Sequence, residues 1–76
     1  MNKTRREQLT DIYTKLDDLK SDLHGIQEEE QEYYDNMPES LQGGEKGELA
    51  EAAASNLEEA VSDIEEALSK IEEAQN

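Results

Sequence analysis

Tyr33-Tyr34-Asp35-Asn36-Met37-Pro38-Glu39-Ser40-Leu41-Gln42-Gly43-Gly44 is the one stretch that interrupts an otherwise continuous helical pattern in this 76-residue chain. It lies near the middle, and a proline followed by paired glycines between two long heptad runs reads as a chain reversal. A residue before proline avoids the α region, so Met37 ahead of Pro38 ends the first helix near Asp35. Asn36 and Glu39 stand at capping-box spacing, with Pro38 in the first turn. The stretch from Pro38 to Gln42 therefore reads as one helical turn, closed by Gly43 as a left-handed cap. The chain becomes a single domain: a helix over 5–35, a hinge with one short turn over 36–46, and a helix over 47–75.

Upstream of the hinge, Thr4 and Glu7 have capping-box spacing and would start the first helix near Arg5. Core positions then step by three and four through Leu9, Ile12, Leu16, Leu19, Leu23, Ile26, Glu30, Tyr33 and Met37. Only Glu30 is polar in that series. A charge there must be paired, reach water or line a cavity; it can also specify an oligomer, and near the hinge the wet reading is preferred. Downstream, Leu57, Val61, Ile64, Leu68 and Ile71 form one seam, and Ala53, Ala60, Ala67 and Ala74 form a stripe beside it. Two seams on one helix suit a bundle better than a two-stranded coil. Folding back about the hinge places Leu23 near Val61, Leu16 near Leu68, and Tyr33 and Tyr34 over Ala50, Ala53 and Ala54.

The expected fold is thus all-α, an antiparallel two-helix hairpin of coiled-coil character. Only 33% of the residues are hydrophobic and there is neither Trp nor Phe. Two such helices bury little on their own, so self-association into a homodimer or larger assembly, with a four-helix bundle as the simplest form, is expected.

Twenty-one acidic residues against seven basic ones give a net charge of −14. That disfavours direct nucleic-acid binding and anionic membranes, both of which call for Lys and Arg, and favours a basic protein partner. With no cysteine there is no disulfide framework, thiolate zinc site or cysteine nucleophile. No apolar stretch follows the basic start, so no signal peptide is read, and a cytoplasmic location is the default.

The acidic run Glu28-Glu29-Glu30-Gln31-Glu32 with Asp35 fits loosely the carboxylate pattern with which all-α nucleotide pyrophosphohydrolases hold magnesium. Those enzymes need more helices, and here the two halves of the pattern overlap in Glu32; a solvated acidic face is the preferred reading. His24 lacks a carboxylate three residues before it and reads as a surface histidine. No nucleophile with a base, Walker loop or dinucleotide fingerprint is present, so neither catalysis, a metal nor a cofactor is expected. Lys3, Arg5 and Arg6 are the only basic cluster; at a helix N-terminus they are the candidate anion site, against the plainer reading of a solvated end.

The cassette from Tyr34 to Gly43, followed by Glu45-Lys46-Gly47-Glu48 and Leu-Glu-Glu-Ala heptads, resembles a group of small acidic helical-hairpin proteins encoded by phages and prophages of Gram-positive bacteria. The resemblance covers residues 28 to 76 and reaches the first helix only in character. It supplies no catalytic or binding residues. It implies a viral context, in which such proteins commonly bind and inhibit host or defence proteins, and hence a host-cell cytoplasm. The leading expectation is a non-enzymatic inhibitor whose acidic faces occupy a nucleic-acid-binding groove on such a protein. Glu28, Glu29, Glu32, Glu58, Glu65 and Glu72 are the candidate contacts, with Tyr34 as an anchor. The alternatives are an oligomeric sponge for a nucleotide immune signal and a structural or assembly coiled coil.

Overall fold

The computed structural model describes residues 1–75 and is a helical hairpin. Helix α1 spans Lys3–Asp35, a single turn α2 spans Glu39–Gln42, and α3 spans Glu45–Gln75. The long helices pack antiparallel along their length, giving a rod of 58 × 15 × 13 Å. Its radius of gyration of 17.2 Å exceeds the roughly 11 Å of a compact chain of this length.

The helix ends differ from expectation in their chemistry more than in their place. Asn2, not Thr4, caps α1: its side-chain oxygen accepts the Arg5 backbone N–H at 2.8 Å, and the helix begins two residues earlier. At the other end, Asn36 is the last residue of α1's hydrogen-bonding pattern, its N–H donating to the Glu32 carbonyl at 2.9 Å. It therefore does not cap α2, which starts after Pro38 without a side-chain cap. Gly43 is right-handed, at φ −82°, so the left-handed cap is not formed. Gln42 takes over the closing role instead. Its side-chain amide donates to the Tyr34 carbonyl at 3.1 Å, and the Met37 backbone N–H donates to that same oxygen at 3.1 Å. The hinge is thus tied to the last turn of α1 through one acceptor.

Gly47 is where a glycine is required. It is buried at the start of α3, and a Cβ there would run into the backbone of Gln42. The glycine lets α3 set off directly against α2. Residue size then grades along the inner face of α3, from Gly47, Ala50 and Ala54 at the hinge to Val61 and Leu68 further on. Small residues near the hinge leave room for the α2 turn and the Tyr34 ring.

The register matches the expected one to within a residue. Thr10 donates to the Gln75 side chain at 3.2 Å at one end, and Tyr34 meets Glu51 at the other. The facing of α1 does not match. Leu9, Leu16, Leu23, Glu30 and Met37 are half-buried, but Ile12, Leu19, Ile26 and Tyr33 are exposed, at 49%, 60%, 54% and 53%. The second inner column is instead Tyr13, Lys20, Gln27 and Tyr34, all half-buried. Tyr34 rather than Tyr33 is the ring turned into the hairpin. No residue of α1 is fully buried.

Gly47→Ala is expected to lower stability by about 1–3 kcal/mol, the range for forcing extra volume into packed backbone. Gly25 is exposed mid-helix with open space around its missing Cβ, so Gly25→Ala is expected to stabilise by roughly 0.5–1 kcal/mol. Thermal melts followed by circular dichroism check both, and a neutral Gly47→Ala would remove the close-approach argument.

Candidate interaction surfaces

With helices of period 3.5, the hairpin has two unlike long sides. On one, the inner column of α1 meets a column of glutamates on α3. Tyr13 lies beside Glu72 and Tyr34 beside Glu51, close enough for each carboxylate to raise the pKa of its phenol. Between them, Lys20 and Glu65 line one hollow, and Gln27 and Glu58 line the next. Four donors spaced by seven residues therefore stand level with four carboxylates at the same spacing. This is the pattern of residues flanking a coiled-coil seam. Lys20 is the best covered cation of the ion pairs, at 25% side-chain exposure, and also reaches Asp17 at 3.4 Å.

Both phenols are harder to ionise than a free tyrosine. Partial burial is the main cause for each. For Tyr13 the negative charges of Glu72 and Asp17 and the hydrogen bond to Glu72 add to it, and Lys20 partly offsets them. For Tyr34 the charge of Glu51 and its hydrogen bond add to burial, with Asp35 contributing less. A tyrosinate beside these carboxylates would carry like charge against like, so both rings stay donors.

The carboxylates singled out in the sequence divide into two groups. Glu58, Glu65 and Glu72 face α1 across the polar side: Glu72 holds Tyr13, while Glu58 and Glu65 border a hollow of about 260 Å³ with His24, Gln27, Val61 and Ser62. Glu28, Glu29 and Glu32 are exposed on α1. Glu28 lies 3.4 Å from His24, which links the two groups at one point. Asp35 accepts from Gln31 at 3.0 Å. Among the described residues no three His, Cys, Asp or Glu side chains converge as a metal site, so the magnesium-like spacing does not become a cluster. Glu30 is half-buried and borders a groove with Tyr33, Lys46, Leu49, Ala50 and Ala53.

Lys3, Arg5 and Arg6 are exposed at the start of α1, where Asn2 already accepts one of the free backbone N–H groups. Arg5 borders an open hollow of about 640 Å³ with Met1, Gln8, Leu9, Asp11 and Ile12. The three side chains do not enclose a common site. The remaining ion pairs, Lys15–Asp11 at 2.8 Å and Lys70–Glu73 at 3.5 Å, are short-range pairs on single helices; the hydrogen bond and charge of Asp11 hold Lys15 protonated to higher pH than usual.

The other long side is apolar. Ile12, Leu19, Ile26 and Tyr33 lie along α1 at seven-residue intervals, and Ala53, Ala60, Ala67 and Ala74 along α3 at the same interval. Leu49, at 65% exposed, adds to it at the hinge end. The alanine stripe is legible in the sequence, whereas heptad spacing places Ile12, Leu19, Ile26 and Tyr33 in the hairpin's own core, from which the structure turns them out. Among the described residues no helix is long and apolar enough to cross a membrane. No family model, curated protein or solved structure matches the chain.

Because the two phenols hold their protons more tightly folded than unfolded, their contribution is complete below the ordinary value of 10.0 and is lost as pH rises through the folded values. The melting temperature is expected to fall in that alkaline range. A Tyr13→Phe/Tyr34→Phe variant should start lower at neutral pH and show less of the alkaline fall. An equal fall in both proteins would assign it to other groups.

Proposed function

We propose that this chain is a non-enzymatic binding protein that pairs through its apolar side into a four-helix bundle and presents acidic surfaces to a basic protein. The observation that carries the reading is the segregation of charge in a −14 chain: exposed Ile12, Leu19, Ile26, Tyr33 and Leu49 collect with the alanine stripe on one side, and most of the carboxylates lie elsewhere. A four-helix bundle roughly 20 Å across with rows of carboxylates offers a basic groove the charge pattern of a nucleic-acid backbone. Bound there, it would block the groove. The resemblance of the hinge cassette to phage-encoded hairpins supports taking the target to be a host or defence protein in an infected cell.

Within this reading the candidate contacts fall into two groups. Glu28, Glu29 and Glu32 are free to meet a partner, with Glu28 shared with His24. Glu72 is already engaged by Tyr13 and Tyr34 by Glu51, so these two hold the hairpin first and reach a partner only at their edges.

Affinity capture from infected-cell lysate supplies the partner, and titration against salt supplies the test. Affinity is expected to fall by about tenfold or more between roughly 50 and 300 mM salt, as the Debye length shortens. Glu28→Gln/Glu29→Gln/Glu32→Gln should weaken binding with the melting temperature held or raised, whereas Glu72→Gln should lower the melting temperature itself. An affinity flat in salt would sink the mimicry mechanism.

A further inference from the structure

We infer that the occupant of the apolar side is a second copy of this chain, seated with both hinges at the same end, so that each large residue of α1's exposed column meets an alanine of the partner's α3. This deepens the reading that the hairpin dimerises and rests on it.

The argument starts from levels along the rod. The register set by Thr10–Gln75 and Tyr34–Glu51 puts Ile12, Leu19, Ile26 and Tyr33 at almost the same heights as Ala74, Ala67, Ala60 and Ala53. A two-fold axis parallel to the rod preserves height and lays α1 of one copy over α3 of the other. Ile12 then faces Ala74 of the partner subunit, Leu19 faces Ala67 of the partner subunit, Ile26 faces Ala60 of the partner subunit, and Tyr33 faces Ala53 of the partner subunit. Every inter-copy contact sums one large and one small side chain, so all four helices keep similar spacing at native density. The other two-fold, perpendicular to the rod, stacks large on large along α1 and alanine on alanine along α3, which demands one wide and one narrow contact.

Leu49 separates the two arrangements independently. It is the most exposed large apolar residue and stands at the hinge end of α3. With hinges together, the last turn of the partner's α1 covers it. With hinges apart, the partner's α3 ends before reaching that level and leaves it in water. Size is adequate too. A side about 45 Å long at 1.5 Å per residue and 15 Å wide presents roughly 700 Å², close to the ~800 Å² per partner of a standard specific interface.

The described chain has no cysteine, so Ser40→Cys on the exposed hinge takes a single spin label without touching the apolar side. Sedimentation equilibrium gives the oligomeric state and pulsed electron paramagnetic resonance gives the label separation. The expected result is a dimer whose labels lie about 20–30 Å apart, the width of a four-helix bundle plus linkers. A dimer with labels roughly 45 Å or more apart, the length of a 30-residue helix, would overturn the shared-end arrangement and leave dimerisation standing. A monomer at about 100 μM protein, a concentration that would fill even a micromolar dimer, would overturn both. As a second readout, the size swap Ile26→Ala/Ala60→Ile should restore at least tenfold of the dimer affinity lost in Ile26→Ala alone; no recovery would overturn the proposed pairing.

Discussion

A helix in a two-helix hairpin has one neighbour, and one neighbour covers only part of a seven-residue apolar repeat. That constraint governs the rest of this structure. The first helix carries a full column of leucines at Leu9, Leu16 and Leu23 and a second apolar column at Ile12, Leu19, Ile26 and Tyr33. A single partner helix can centre on the first column and then must favour one flank. It takes the flank holding Tyr13, Lys20, Gln27 and Tyr34, and the second apolar column is left facing out.

What decides the flank is the complement that α3 provides. Its inner seam is bordered on one side by alanines and on the other by Glu51, Glu58, Glu65 and Glu72. An alanine border gives an isoleucine column little to touch in a bare hairpin. The glutamate border places Glu72 beside the Tyr13 phenol and Glu51 beside the Tyr34 phenol, with Lys20 and Gln27 lining the same hollows as Glu65 and Glu58 between them. A phenol beside a carboxylate is a directional contact, so the pairs at the two ends of the rod favour one register and one rotation together. The hydrophobic seam alone would tolerate rotation about the helix axis far better.

The hairpin and its hinge were legible in the sequence because proline, paired glycines and heptad spacing are local signals. Helix boundaries came within a residue or two, and the pairing levels within one, since both follow from counting outward from the turn. The rotation of α1 was not legible. A heptad marks a broad apolar stripe but does not say which half of it meets the intramolecular partner and which is left exposed. The signal that could have separated them was present: donors at Tyr13, Lys20, Gln27 and Tyr34 match acceptors at Glu72, Glu65, Glu58 and Glu51 level by level. The cap exchanges at Asn2 and Gln42 were hidden for a different reason. Each depends on where the backbone ends in space, and several side chains nearby had suitable chemistry.

The same division of labour bears on how so acidic a chain stays folded and still offers a surface for binding. With 21 acids on 76 residues, carboxylates cannot be kept apart, and like charges spaced along a helix weaken it. In the column Glu51, Glu58, Glu65 and Glu72, the two end members lie beside phenols and the middle two line hollows shared with Lys20 and Gln27. Glu28, Glu29 and Glu32 have no such compensation beyond His24 beside Glu28. They sit near the hinge end of α1, where the inner face of α3 is lined by Gly47, Ala50 and Ala54 and large-residue packing is least. A basic surface binding there would relieve repulsion where the hairpin has the least apolar contact to offset it. The hinge end is thus where repulsion between carboxylates is least offset by apolar contact, while Tyr13 beside Glu72 and Tyr34 beside Glu51 mark the register at the two ends of the rod.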